Sequence, residues 1–191
     1  MTAVVFLAAY LLGSIPNGLI FGRLIWHKDL RRYGSGNLGA TNAWRVIGKP
    51  AGMLIFALDF LKGTLSVIIA QLAVGTPWAM VIAGLLAILG HSRSIFLKFS
   101  GGRGVATGLG VIAVLMPSVT TIVFLVWLAI VLATRYVSLG SIVASILVPI
   151  LALAFGYERE FVIFGVIAAA FITLRHRENI SRLLNGRENK I

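Results

Sequence analysis

Two short glycine-rich segments carry residue types able to hold phosphate. The first is Gly34-Ser35-Gly36-Asn37-Leu38-Gly39-Ala40-Thr41-Asn42, followed by Arg45. Its glycines allow close backbone approach, and successive N–H groups in such a loop can form an anion-binding nest. Arg45 adds a planar, two-pronged phosphate donor. The second is Lys98-Phe99-Ser100-Gly101-Gly102-Arg103-Gly104-Val105-Ala106-Thr107. It reads as a glycine turn opening a helix, where the first N–H groups and the helix dipole favour an anion. The two align as Ser35-Gly36-Asn37-x-x-Ala40-Thr41 and Gly101-Gly102-Arg103-x-x-Ala106-Thr107, too short a match to establish a repeat. Neither is a nucleotide motif. No strand–helix–strand unit surrounds the first, and no Gly-Lys-Ser/Thr completes the second.

A third polar segment runs Arg175-His176-Arg177-Glu178-Asn179-Ile180-Ser181-Arg182-Leu183-Leu184-Asn185-Gly186. It predicts a short surface helix stopped at Gly186, with His176 and Asn179 on the same inward face as Ile180 and Leu183. Ser138 and Ser141 follow Arg135 one turn apart and can offer hydroxyls to one pocket. Each feature has a plainer reading: a flexible loop, glycines that pack helices, a basic helix on anionic lipid, serines that pack closely. Asp59 and Lys62, at i and i+3, read as a structural ion pair, and His91 as a packing histidine.

The chain has no cysteine, three histidines and six acidic residues. No two of the acids stand at metal-ligand spacing, so no catalytic metal is expected.

These residues must be positioned by membrane helices. Of 191 residues 59% are hydrophobic and 12% charged, more apolar surface than a soluble domain of this size can bury. The net charge of +11 then reads as topology and anionic ligands, not as nucleic-acid binding. Spans are expected over about 2–25, 51–74, 77–92, 104–116, 118–134, 137–156 and 161–174. The uncharged stretch 104–134 would be about 46 Å long as one helix, so a break at Met116-Pro117-Ser118 is expected. That break leaves nearly every basic residue on one face, with Arg159 alone on the other. The expected fold is an all-α polytopic membrane protein with seven transmembrane helices, N-terminus outside and C-terminus cytoplasmic. Residues 1–191 are expected to form a single domain, with the first apolar run retained as a helix because it lacks a basic leader and a cleavage site.

Taken together, the motifs resemble the integral-membrane, acyl-phosphate-dependent glycerol 3-phosphate acyltransferases of bacteria. The resemblance rests on Gly13-Ser14-Ile15-Pro16-Asn17-Gly18, GSGNLGATN at 34–42, DFLKG at 59–63, KFSGGRGVAT at 98–107 and RHRENISRLLNGRE at 175–188. One departure is Arg103, where the family usually has lysine. The resemblance implies acyl transfer from acyl phosphate to the 1-hydroxyl of glycerol 3-phosphate, giving lysophosphatidic acid and phosphate. It implies a multi-pass protein of the bacterial inner membrane, with its active site on the cytoplasmic side and the acceptor's own phosphate taking the hydroxyl proton. His176 is the one protein alternative as base. The expected catalytic group is Ser35, Arg45, Arg103, His176 and Asn179. Gly36, Asn37, Gly39, Thr41, Asn42, Gly102, Gly104 and Ser141 are expected to bind substrate. Acyl phosphate, glycerol 3-phosphate and membrane lipid are the expected partners, and the chain is expected to be monomeric. The competing functions are a small anion transporter and a lipid-binding membrane protein.

Overall fold

The computed structural model describes residues 1–191, and its regular structure is helical. In order the helices are α1 (Thr2–Ser14), α2 (Asn17–Trp26), α3 (Ala40–Val46), α4 (Lys49–Ala73), α5 (Pro77–Ser92), α6 (Val105–Leu115), α7 (Pro117–Thr134), α8 (Val137–Ala154), α9 (Arg159–Arg175) and α10 (Arg177–Leu184). Short 3-10 turns occupy Leu30–Arg32 and Ile95–Leu97. The chain forms two compact units, residues 1–111 and 112–191.

Three helices are long and apolar enough to cross a membrane, namely α4, α7 and α8. The pair α1 and α2, bent by 42°, has the length and composition of a fourth if it is taken as one broken span, while α5 and α6 are apolar but shorter. Leu72, Leu132, Leu153 and Leu174 are each at least 70% exposed, as suits an outer surface that meets lipid.

The expected break before Pro117 is present. Met116 lies outside the helical region, at φ −145° and ψ 70°, and Pro117 opens α7. Proline disfavours helical geometry in the residue before it and lacks the N–H that would continue the ladder. The same logic corrects the first span. It is not one continuous helix over 2–25, because Ile15-Pro16 separates α1 from α2. The break exposes carbonyl oxygens that a continuous helix would consume. Ile15 O accepts from Lys62 Nζ at 3.0 Å, and Ser14 O from Ser94 Oγ at 2.6 Å.

Within the first unit α1 packs on α5 and α4, and α3 packs on α4. Glycines set these approaches, as small residues do between membrane helices. A Cβ at Gly13 would strike the Ala87 backbone, and one at Gly90 the Tyr10 carbonyl. A Cβ at Gly63 would strike the Thr107 carbonyl, so α4 seats the first turn of α6 directly. In the second unit α8 packs between α7 and α9, and the Gly165 backbone lies against Pro149 inside α8.

Candidate functional site

The first glycine loop begins at a charged anchor. Asp29 accepts from the Arg31 backbone at 3.1 Å and pairs with the Arg23 and Arg31 guanidinium groups at 2.6 and 2.7 Å. The bound Arg31 side chain, helped by Arg23, holds the Asp29 carboxyl far below the usual carboxylate range. Past the 3-10 turn, Gly34 and Gly36 adopt φ of +60° and +69°, where a side chain would be strained.

Asn42, 2% exposed, organises the loop from α3. Its Nδ2 donates to the carbonyls of Leu30, Tyr33 and Asn37 at 3.2, 3.1 and 2.8 Å. Its Oδ1 accepts from Ser35 N at 2.9 Å. The amide is therefore used within the loop, tying three carbonyls and one N–H together.

Two N–H groups of the expected nest are likewise engaged within the loop. Gly36 N donates to Tyr33 O at 3.0 Å, and Gly39 N to Asn37 Oδ1 at 2.8 Å. Those N–H groups hold the loop's shape. Ser35 stands exposed at the tip, while Thr41 and Arg45 are half-buried on α3.

The second glycine loop is tied back to α5. Gly102 N donates to His91 O at 3.1 Å, and Ser94 N to Ser100 O at 3.1 Å. Lys98 and Phe99 turn the chain through left-handed geometry at φ +52° and +59°. Gly104, at φ +87°, caps α6 by accepting from Gly108 N at 2.7 Å. Arg103 is thus held, half-buried, immediately ahead of the α6 N-terminus.

Both loops border one pocket within the first unit, which Leu38 reaches from one side and Gly101 and Gly102 from another. Its floor is a polar cluster that sequence reasoning did not assign to the site. Asp59 accepts from Asn17 Nδ2 at 3.0 Å and pairs with Lys62 Nζ at 3.0 Å. His91 Nδ1 stands 3.7 Å from the same carboxylate. The Asp59–Lys62 ion pair read from the sequence is present, but Asn17 and His91 belong with it. The helix break at Pro16 was the available signal, because it starts α2 at Asn17.

The second unit builds its own polar centre. His176 and Asn179 are each 2% exposed at the start of α10, as their shared face predicted. Ile180 and Leu183 are half-buried, Leu184 is exposed, and Gly186 ends the segment at φ +64°. The His176 ring lies 2.8 Å from Ile172 O through Nδ1.

Glu188, which is outside the expected site residues, accepts from Asn179 Nδ2 at 2.7 Å, Ser138 Oγ at 3.0 Å and Arg182 Nε at 2.8 Å. Burial pushes the Glu188 carboxyl up, but hydrogen bonds from Arg182, Asn179 and Ser138 outweigh it and hold it below its ordinary value. Asn179 Oδ1 remains buried without a hydrogen-bond partner. Ser141 Oγ donates to Val137 O at 2.8 Å, so its proton is used within α8 while its lone pairs can still accept.

The predicted residues thus fall into two sets. Ser35, Gly36, Asn37, Gly39, Thr41, Asn42, Arg45, Gly102, Arg103 and Gly104 belong to the first unit. Ser141, His176 and Asn179 belong to the second.

Comparison with known proteins shows the family. The family described as glycerol-3-phosphate acyltransferase matches residues 3–186. A glycerol-3-phosphate acyltransferase of Syntrophomonas wolfei is 47% identical, over 99% of this chain and 96% of its own length. A crystal structure of PlsY, an integral membrane glycerol 3-phosphate acyltransferase, in its glycerol 3-phosphate form superposes with a TM-score of 0.95 at 46% identity. It covers 100% of this chain and 95% of that one. The lysophosphatidic acid form of PlsY gives 0.92 at 43%, with the same coverage. An all-helical chain whose glycine loops border one pocket, matched end to end by these proteins, belongs to the glycerol-3-phosphate acyltransferase family of integral membrane enzymes.

Proposed function

We propose that the chain transfers a fatty acyl group from acyl phosphate to the 1-hydroxyl of glycerol 3-phosphate, releasing lysophosphatidic acid and phosphate. The observation that carries this reading is the convergence of two glycine loops on one pocket, each followed by or containing an arginine. The structural relatives captured with glycerol 3-phosphate and with lysophosphatidic acid support the acceptor and the product.

Acyl phosphate already carries a good leaving group, so the protein must chiefly bind two phosphates, align hydroxyl with carbonyl and steady the oxyanion. Arg45 and Arg103 neutralise phosphate charge, and the α6 N-terminus adds its dipole. Ser35 and Thr41 supply hydroxyl donors, on a loop held by Asn37, Asn42 and the conformations of Gly36 and Gly39. Gly102 and Gly104 admit close approach at the second loop. His176 and Asn179 position the acceptor, with Ser141 as a further hydrogen-bonding group. The buried Oδ1 of Asn179 is an acceptor that a substrate hydroxyl would satisfy, since an unpaired buried oxygen is costly. As the hydroxyl oxygen bonds to the carbonyl carbon, its proton passes to an acceptor phosphate oxygen. Collapse of the tetrahedral intermediate then expels phosphate.

The charge distribution supports seven crossings, with the N-terminus outside and the C-terminus cytoplasmic. The same charge distribution supports both loops lying on the cytoplasmic side of the bacterial inner membrane. Residues 1–191 are read as one acyltransferase domain that works as a monomer. Proteoliposomes test the reading against transport. Lysophosphatidate should form in step with phosphate release when acyl phosphate and labelled glycerol 3-phosphate are supplied. Uptake of label without any acyl donor would favour the transporter instead.

A further inference from the structure

Beneath the second glycine loop lies a buried charged group that the proposed chemistry does not use. Asp59 is 2% exposed and Lys62 4%, and the pair stands beside His91 at the end of α5. A buried carboxylate persists only with partners, and here Asn17, Lys62 and the His91 ring supply them. At 3.7 Å the ring is beyond hydrogen-bond length, so Asp59 acts on it through charge. A negative charge on that side favours the tautomer with its proton on Nδ1. The opposite edge then faces the glycine loop as an acceptor. A Cβ built at Gly102 would collide with His91 Nε2, and one at Gly101 with the His91 carbonyl. The Gly102 N–H already donates to that carbonyl at 3.1 Å. Residue 91 therefore holds the Gly101-Gly102 peptide from both its backbone and its ring.

We propose that His91, oriented by the buried Asp59, is a positioning residue for acyl transfer, fixing the Gly101-Gly102 peptide so that Arg103 and the start of α6 meet the substrate phosphate. The proposal rests on reading this loop as a phosphate site. Asp59 with its partners is the rigid floor, the ring is the strut, and the loop is what it supports. The tight glycine spacing follows directly, because a side chain at 102 would displace the ring and one at 101 would strike the α5 backbone that carries it.

The test uses the full chain, purified in detergent, with both KM values, kcat and thermal unfolding measured for each variant. Arg103→Ala identifies which of the two substrates the loop serves, by the KM that rises. His91→Ala should raise that same KM by about tenfold or more, leaving the other KM and the unfolding temperature near wild type. His91→Asn keeps an N–H towards Asp59 but lacks the edge against Gly102, so it should fold normally and carry most of the defect. His91→Gln returns an amide close to the Nε2 position and should restore much of the loss. The effects of His91→Ala and Gly102→Ala should combine to less than their product, because both act on one peptide. Should His91→Ala fail to fold, the Asn and Gln variants decide. An Arg103→Ala defect alongside normal KM values in the His91 variants would overturn the positioning role alone. A fall in kcat with unchanged KM would also overturn it, by making His91 a participant in the chemistry. Normal kinetics in Arg103→Ala would remove the phosphate-loop reading, and this proposal with it.

Discussion

Glu188→Ala is expected to loosen α10 and disable the acceptor side of the site. The Glu188 carboxylate is 8% exposed and takes three side-chain hydrogen bonds. Those from Asn179 and Ser138 reach a charged acceptor, and each such bond contributes about 1.5–3 kcal/mol. Arg182 is 32% exposed, so its pair is screened and adds at most about 1 kcal/mol. After the cost of burying the carboxylate, a net loss of about 3 kcal/mol is expected for Glu188→Ala. In a chain of this size that corresponds to roughly 6–12 °C in thermal unfolding.

Glu188→Gln separates the contributions. Its remaining oxygen can still accept from Asn179 and Ser138, while its new amide faces the Arg182 donor. A loss of about 1 kcal/mol is expected, with part of the acceptor binding retained. The assay is thermal unfolding in detergent, paired with KM for glycerol 3-phosphate. The pH dependence follows the same group. Its folded value is depressed, so its contribution is fully present above the ordinary value of 4.5 and is lost as pH falls below it. Glu188→Gln should flatten that acid limb. A Glu188→Ala protein with wild-type unfolding and normal acceptor KM would refute the reasoning.

Other perturbations address the loops and the imidazole. Arg45→Ala should lower kcat/KM by about a hundredfold or more with little change in unfolding temperature, since the proposed charge-assisted phosphate contact would be lost, whereas Arg103→Lys should keep substantial activity. Asn42→Ala removes four hydrogen bonds from the first loop, and should lower both stability and activity together, read by unfolding and turnover on the same sample. His176→Asn should keep measurable kcat with a raised acceptor KM; normal acceptor binding with no turnover would make His176 the base instead.

The sequence made the break at Pro117 legible, because proline stands in the middle of an uncharged stretch too long for one span. The break at Pro16 follows the same physics but lies inside an apolar run of acceptable length, so nothing in the length required it. Burial of His176 and Asn179 was readable from helical spacing alone, since one face also carries Ile180 and Leu183. Glu188 was not, because it reaches Asn179 only after the chain turns back at Gly186. The internal bonds of residues 34–39 were hidden for a related reason. Glycine spacing shows where backbone N–H groups can gather, but not that Tyr33 O and Asn37 Oδ1 already accept from them. The surroundings of His91 were equally hidden, since Asp59 and Gly102 come from two distant stretches of chain.

The central claim is that this family member takes its acyl group from a phosphate anhydride held by paired anion loops. The direct measurement is turnover of the purified protein with palmitoyl phosphate and with palmitoyl-CoA, each with glycerol 3-phosphate. Lysophosphatidate formed from palmitoyl phosphate, with one phosphate released per product and none formed from the thioester, is the predicted result. Turnover with palmitoyl-CoA and none with palmitoyl phosphate would contradict it.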